Sequence, residues 1–186
     1  MSTVPTPILR GATPVTLSVN GLEQSRMVTP RTTLADFLRT DLQLTGTHTG
    51  CEMGACGACL VLMDGVPVHS CLVFAVQADG AQLETVEGLT ERGAIAELQR
   101  AFHERNALQC GFCTPGMLVT AHALLERGGV PDREEIRDAL SGNYCRCTGY
   151  EAIVDAIETT ARRCVQGAAA DETSADLPPA IPGAHP

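Results

Sequence analysis

The chain has no tryptophan, and aromatics make up only 3% of its 186 residues. Lys and Arg number 13 against 22 Asp and Glu, for a formal charge of −9. So few cations and stacking rings leave no stripe to neutralise phosphates, and nucleic-acid binding is not expected. No run of about eighteen apolar residues occurs, which argues against a membrane-spanning helix. The opening stretch "MSTVPTPILRGATP" lacks a basic segment followed by an apolar one. No export signal is therefore expected, and the expected location is a reducing cytoplasm unless a partner carries the signal. A phosphate-binding glycine loop, a nucleophile–base pair and paired acids are also missing. The chain is not expected to turn over a substrate by itself.

Cysteine, by contrast, is plentiful. Nine thiols fall in groups: Cys51, Cys56, Cys59 and Cys71, then Cys110 and Cys113, then Cys145 and Cys147, with Cys164 apart. In a short secreted chain such groups would read as disulfides. Here 44% of the residues are hydrophobic, enough to build a core without staples. Thiols this close together read as ligands of shared metal.

Hydrophobic periodicity divides the chain in two, an α+β organisation. "VTLSV" at 15–19 alternates apolar and polar, as a half-buried strand does. Asn20-Gly21 is a two-residue hairpin signal, and a second strand is expected over Glu23–Val28. Thr33 can cap a short helix with Leu34, Phe37 and Leu38 on one face. After the first cysteine loop, "CLVLM" reads as a strand, Asp64-Gly65 as a turn, "VPV" as the returning strand and Leu83–Val86 as a last strand. Hairpin, helix, hairpin and late strand suit a small β-grasp domain over 14–89.

From about Thr90 the period becomes helical. Ile95, Leu98 and Phe102 share one face. Thr114-Pro115 is a good cap and first-turn pair for a second helix, with Met117, Leu118, Ala121, Leu124 and Leu125 inward and Gly128-Gly129 as the stop. Pro131-Asp132 opens a third helix carrying Ile136, Ala139 and Leu140, which ends at Gly142. A fourth covers Tyr150–Cys164, with Ile153, Val154, Ile157 and Ala161 on its stripe. The expectation is a four-helix bundle over 90–166. Residues 167–186, with four prolines and no periodicity, are expected to be a disordered tail.

The four-then-two spacing of Cys51, Cys56 and Cys59, with Cys71 after eleven intervening residues, is that of plant-type [2Fe–2S] ligation. A four-residue loop can wrap one edge of a cluster and aim N–H groups at its sulfurs. Gly50, Gly54, Ala55, Gly57 and Ala58 leave room for that wrapping. Structural zinc sites usually pair two short knuckles, which this set does not. The second set, Cys110-x2-Cys113 and Cys145-x-Cys147, is less specific, and zinc stays open from spacing alone. Each pair comes just before an expected helix, in "CGFCTPG" and "CRCTGY". Two helix N-termini would aim N–H groups and partial positive charge at one anionic group, which suits a second [2Fe–2S] cluster.

"GCEMGACGAC…SC", "QCGFCTPG" and "NYCRCTGYEAI" together resemble the small iron–sulfur subunit of molybdenum hydroxylases, the xanthine oxidase family. The resemblance runs from about Pro14 to Cys164. It implies a plant-ferredoxin-like β-grasp domain followed by a four-helix domain, each with a [2Fe–2S] cluster. It also implies a large partner subunit carrying molybdopterin and, in many members, a medium subunit carrying FAD. Electrons would pass from the pterin to the cluster of Cys110, Cys113, Cys145 and Cys147, then to the cluster of Cys51, Cys56, Cys59 and Cys71, then to FAD or another acceptor. Gln109 maps to a residue that hydrogen-bonds the pterin, and Cys147 to the ligand nearest it. The chain departs from the family at His48, often Lys, and at Leu60, often Thr.

Four thiols already complete the first site, so His48 is expected beside it or at the surface rather than on metal. His69, His103, His122 and His185 show no metal spacing. Arg146, between two ligands, could reach the cluster, a partner or solvent. Cys164 is expected in the core, near the stripe of the last helix. Two other functions compete with the electron-relay subunit: a free-standing two-cluster ferredoxin-like carrier, and a zinc-stabilised interaction module.

Overall fold

In a computed structural model of the protein, residues 11–175 are described, with side chains described through residue 166. β1 (Thr13–Val19) and β2 (Leu22–Val28) form an antiparallel hairpin, with Thr13 opposite Val28 and Val19 opposite Leu22. Asn20 and Gly21 at its tip both take positive φ, 53° and 80°, which matches the right-handed twist of the flanking strands. Val15, Leu17 and Val19 point into the core, and the residues between them face outward. α1 (Leu34–Asp36) follows and runs into a π-helical turn, Phe37–Asp41. The Thr33 hydroxyl accepts the Asp36 amide at 3.1 Å and so satisfies one otherwise unpaired donor at the helix start. β3 (Leu60–Met63) and β4 (Val66–His69) form the second hairpin.

β5 (Gln82–Glu84) slots between β1, to which it is parallel, and β3, to which it is antiparallel. The sheet is therefore mixed, in the order β2-β1-β5-β3-β4. This last strand is shorter than Leu83–Val86 implies, and Val86 already opens a further helix, α2 (Val86–Glu91). The Asn20 side chain accounts for the break. Its Oδ1 accepts the Thr85 amide at 2.9 Å and its Nδ2 donates to the Thr85 hydroxyl at 3.1 Å, so the chain leaves the ladder with its polar groups paired.

The helical part consists of α3 (Ala96–Glu104), α4 (Thr114–Leu125), α5 (Arg133–Ala139) and α6 (Glu151–Ala175). α3 and α5 pack on α6, and α4 packs on both α3 and α5. Leu98, Phe102, Met117, Ile136, Ile153 and Ile157 meet in its core. Asp132 caps α5 by accepting the amides of Glu134 and Glu135 at 2.8 and 2.9 Å, and Glu135 reaches back to the Asp132 amide. Three expectations need correcting. The cap of α4 is Cys113 rather than Thr114, which is already helical. The last helix starts at Glu151, because Tyr150 takes a left-handed φ of 70° that cannot continue a helix. Residues 167–175, expected in a disordered tail, extend that helix, and 176–186 lie outside the described residues.

β3 joins the two parts. Val61 faces the sheet core with Phe37 and Leu38, whereas Leu60 and Leu62 belong to the helical core with Met117 and Val119. A strand buried on both faces reads as an unbroken apolar run, and "LVLM" does. α4 packs directly on it. Among the described residues no helix is long and apolar enough to cross a membrane.

Candidate metal centres

The first seat is the loop between α1 and β3. The amides of Ala55 and Cys56 both donate to Cys51 Sγ at 3.3 Å. The Met53 amide is the largest of several donors that hold the Cys51 thiol down to about 7, against a mild push upward from burial. Cys56 adds its own thiol as a donor to the same sulfur. Burial pushes Cys71 up to about 11, helped by the Cys59 sulfur to which it donates and opposed by the Gly54 amide. Ser70 fixes this second pair, because its amide and hydroxyl both donate to the Cys59 carbonyl, at 3.3 and 2.7 Å. The sulfurs thus stand two and two: Cys51 with Cys56 at the half-buried edge, Cys59 with Cys71 in the buried one.

The second seat lies where α4 begins and where the loop before α6 doubles back. Burial, followed by donation to Cys145, pushes Cys113 up to about 12. Burial also raises Cys145, but the hydroxyl and amide of Thr148, the Cys147 amide and the Cys113 thiol together outweigh it and the net shift is downward; the Thr148 hydroxyl is 3.1 Å from Sγ. Cys147 is raised chiefly because it donates to Cys110. Again the sulfurs pair, Cys113 with Cys145 and Cys110 with Cys147, the second pair exposed. Tyr150 stitches the loop: its hydroxyl accepts the Cys145 amide at 2.8 Å and donates to the Asn143 carbonyl at 3.1 Å. Gln109 Nε2 donates to the Cys147 carbonyl at 3.1 Å, so it ties both cysteine segments together.

Two thiols on each side are the donor set that a two-iron, two-sulfide rhomb needs, one pair per iron. A tetrahedral zinc would instead draw four donors to one point. Among the described residues no three His, Cys, Asp or Glu side chains converge in that way. The residues present therefore fit a dinuclear cluster in each seat.

The seats face each other. The carbonyl of Phe112, adjacent to Cys113, meets His48 Nδ1 at 2.8 Å, and the two rings stack with centroids 4.9 Å apart. His48 is thus a bridge between loops. Arg146 is exposed. Cys164 is exposed too, not in the core as its spacing suggests, since the stripe of α6 passes through Ile157 and Ala161 and leaves Cys164 turned away. Sequence reasoning missed Asn143, Thr148 and Tyr150 as site residues, although all three stand within "NYCRCTGY". Their roles depend on what the folded loop brings near them, and only the unusual density of polar residues around two thiols hinted at them.

Residues 17–90 match the model of the 2Fe-2S iron-sulfur cluster binding domain, and residues 85–158 match that of the [2Fe-2S] binding domain. The chain is 52% identical over 148 residues to caffeine dehydrogenase subunit gamma of Pseudomonas sp. (strain CBB1), covering 78% of this chain and 89% of that one. It is 53% identical over 143 residues to the nicotine 6-hydroxylase small subunit of Paenarthrobacter nicotinovorans, covering 77% and 86%. Among solved structures, quinoline 2-oxidoreductase from Pseudomonas putida 86 superposes with a TM-score of 0.78 at 47% identity, over 85% of this chain and 99% of that one. The protein therefore belongs to the small [2Fe–2S] subunits of the xanthine oxidase, or molybdenum hydroxylase, family, the electron-transfer subunits of oxidoreductase complexes.

Proposed function

We propose that Cys51, Cys56, Cys59 and Cys71 hold one [2Fe–2S] cluster and that Cys110, Cys113, Cys145 and Cys147 hold the other. The two-and-two pairing of sulfurs in each seat is the observation that carries this assignment. When bound, each cluster supplies a centre that gains and loses one electron at a time. The chain's own residues hold it and tune it. The amides of Met53, Ala55 and Cys56 and the hydroxyl of Thr148 stabilise negative charge on ligand sulfur. Burial of Cys59 and Cys71 keeps water from one edge of the first cluster. Exposed Cys110 and Cys147 leave the second open to a partner.

That partner is a molybdopterin-binding large subunit, with Gln109 and Cys147 as the residues that meet the pterin. Electrons enter at the helical seat and leave from the ferredoxin-like seat, to FAD on a medium subunit or to another acceptor. The β-grasp domain of this account spans 14–89 and the four-helix bundle 90–166, and the complex works in the cytoplasm. Residues of the partner choose the substrate. Relatives named for caffeine, nicotine and quinoline make an N-heterocycle the first class to try.

The test is to purify the chain with whatever binds it, quantify Fe, Mo and flavin, and record EPR after dithionite reduction. Two distinct S = 1/2 signals are expected. A single signal, or zinc in place of iron, overturns the assignment. Gln109→Ala should leave both signals intact and slow reduction by substrate, and unchanged turnover would remove Gln109 from the pterin contact.

A further inference from the structure

We infer that Glu87 and Arg39 are positioning residues for the ferredoxin-like seat: together they clamp the Thr45–Thr47 stretch that leads into Cys51. The inference rests on the ligand assignment proposed above. Glu87 stands in the first turn of α2, and its Oε1 accepts the Gly46 amide at 2.7 Å. Arg39 lies in the π-helical turn after α1. Its Nη1 donates to the carbonyls of Thr45 and Thr47, each at 2.9 Å. A carboxylate and a guanidinium thus hold the main chain of consecutive residues, and bonds to ionised groups are the stronger kind. Only His48, Thr49 and Gly50 separate the clamped stretch from Cys51.

The carboxylate is itself aimed. Its Oε2 accepts the Thr85 hydroxyl at 2.6 Å. Thr85 is fully buried, and its hydroxyl also accepts from Asn20 at the tip of the first hairpin. Turning Glu87 away would break the chain of bonds from Asn20 through Thr85 to Gly46, and buried polar groups left unpaired are costly. The packing is close as well. A Cβ on Gly46 would lie 2.7 Å from Glu87 Oε1 and 2.8 Å from a methyl of Val86, and one on Gly88 would lie 2.2 Å from Asn20 Oδ1. No side chain fits at either glycine.

α2 takes its own position from the helical part. Leu89 is buried in the helical core, Val86 packs against that core, and α2 packs on α4. Through Glu87 the approach to Cys51 is therefore held to the helical core as well as to the sheet. Without the clamp this approach slackens, and the bonds from the Ala55 and Cys56 amides to Cys51 Sγ lengthen. Such bonds favour the reduced, more negative cluster, so weaker ones make it harder to reduce. A Glu87 acting only through its charge would do the opposite: its removal would ease reduction, whichever neutral residue replaced it.

Glu87→Ala and Glu87→Gln, made in the full chain in its complex, separate these accounts. Both remove the charge, and only Gln keeps an oxygen to accept the Gly46 amide. Redox titration followed by EPR gives both midpoint potentials and both line shapes, and an iron chelator gives the rate of iron loss. Glu87→Ala is expected to change the line shape of the ferredoxin-like signal and to place its midpoint below that of Glu87→Gln. It should also give up that iron several-fold faster, while the other signal stays as it is. Equal midpoints and line shapes in the two variants overturn the clamp. If Glu87→Ala fails to fold, Arg39→Lys and Arg39→Met repeat the comparison, since Lys keeps a donor and Met has none. Faster iron loss in Arg39→Met alone supports the clamp, and equal loss overturns it. Hydrogen exchange on the unaltered protein adds a check without any variant: strong protection of the Gly46 amide supports the bond to Glu87, and free exchange overturns it. Fewer than two cluster signals in the unaltered chain would overturn the ligand assignment, and this inference with it.

Discussion

The two seats solve one problem by different means. In the ferredoxin-like seat a single loop brings three of the cysteines, and the donors to Cys51 are mostly backbone amides of that same loop, joined by the Cys56 thiol. In the helical seat two distant segments must meet, and side chains do much of the donating: Thr148 to Cys145, Gln109 to the Cys147 carbonyl, Tyr150 to the Asn143 carbonyl. Backbone donors come free with a loop of the right length. Side-chain donors need a folded scaffold to aim them. The first seat is thus a local device and the second a tertiary one.

The largest expected effect separates the seats outright. Cys59→Ala should abolish one EPR signal and about half of the iron while the other signal persists, and Cys113→Ala should do the converse. Loss of both signals from either change would mean that the seats cannot form independently. The next test asks whether the two cores unfold independently. Phe37 lies in the sheet core and Phe102 in the helical one, both fully buried. Either Phe→Ala change should cost about 3–5 kcal/mol. Because β3 lends Val61 to one core and Leu60 and Leu62 to the other, each should lower a single cooperative transition in urea. Two separate transitions would break that coupling.

Smaller effects sharpen the same contrast. Asp132→Ala removes two amide contacts at the start of α5 and should cost about 1 kcal/mol. The change belongs to the helical part alone, so the ferredoxin-like EPR signal should keep its shape; a shifted shape would show that strain crosses the seam. The smallest effect is a pH dependence. His122 is 6% exposed on α4, and burial holds its pKa below the ordinary 6.5, with Arg92 adding to the fall and Glu126 and Glu84 opposing it. The unfolded chain therefore takes up this proton first. Stability from His122 is complete above about 6.5 and is lost as pH falls through the depressed folded value. His122→Leu should flatten that part of the acid limb in urea unfolding followed from pH 7.5 to 5.5. An unchanged limb would assign it to other groups.

Much of the sheet half could be read from the residues. Asn20-Gly21 and Asp64-Gly65 both stand at hairpin tips with positive φ, because their chemistry admits little else. Thr33 caps α1 for a reason that lies within three residues of it. The misreadings share a cause as well. β5 stops early because Asn20, far away in sequence, captures Thr85. α6 starts at Glu151 because Tyr150 is pulled into the loop by Cys145 and Asn143. Cys164 sits near an apolar stripe in the pattern, yet α6 buries Ile153, Ile157 and Ala161 and leaves Cys164 exposed.

By itself, the sequence determined the chemistry and the local turns: eight cysteines at cluster spacing, small residues where a loop must wrap closely, two hairpins and the apolar faces of the helices. These are properties of neighbours along the chain, and short-range sterics and periodicity suffice to set them. Only the tertiary structure decided which loops face each other. It set Asn143 between Gly57 and Thr120, the Tyr144 amide against the Cys56 carbonyl, and His48 upon Phe112. Those contacts join residues with no common periodicity. They exist because β3 must be covered on both faces, and covering it with α4 brings one cysteine loop up against the other.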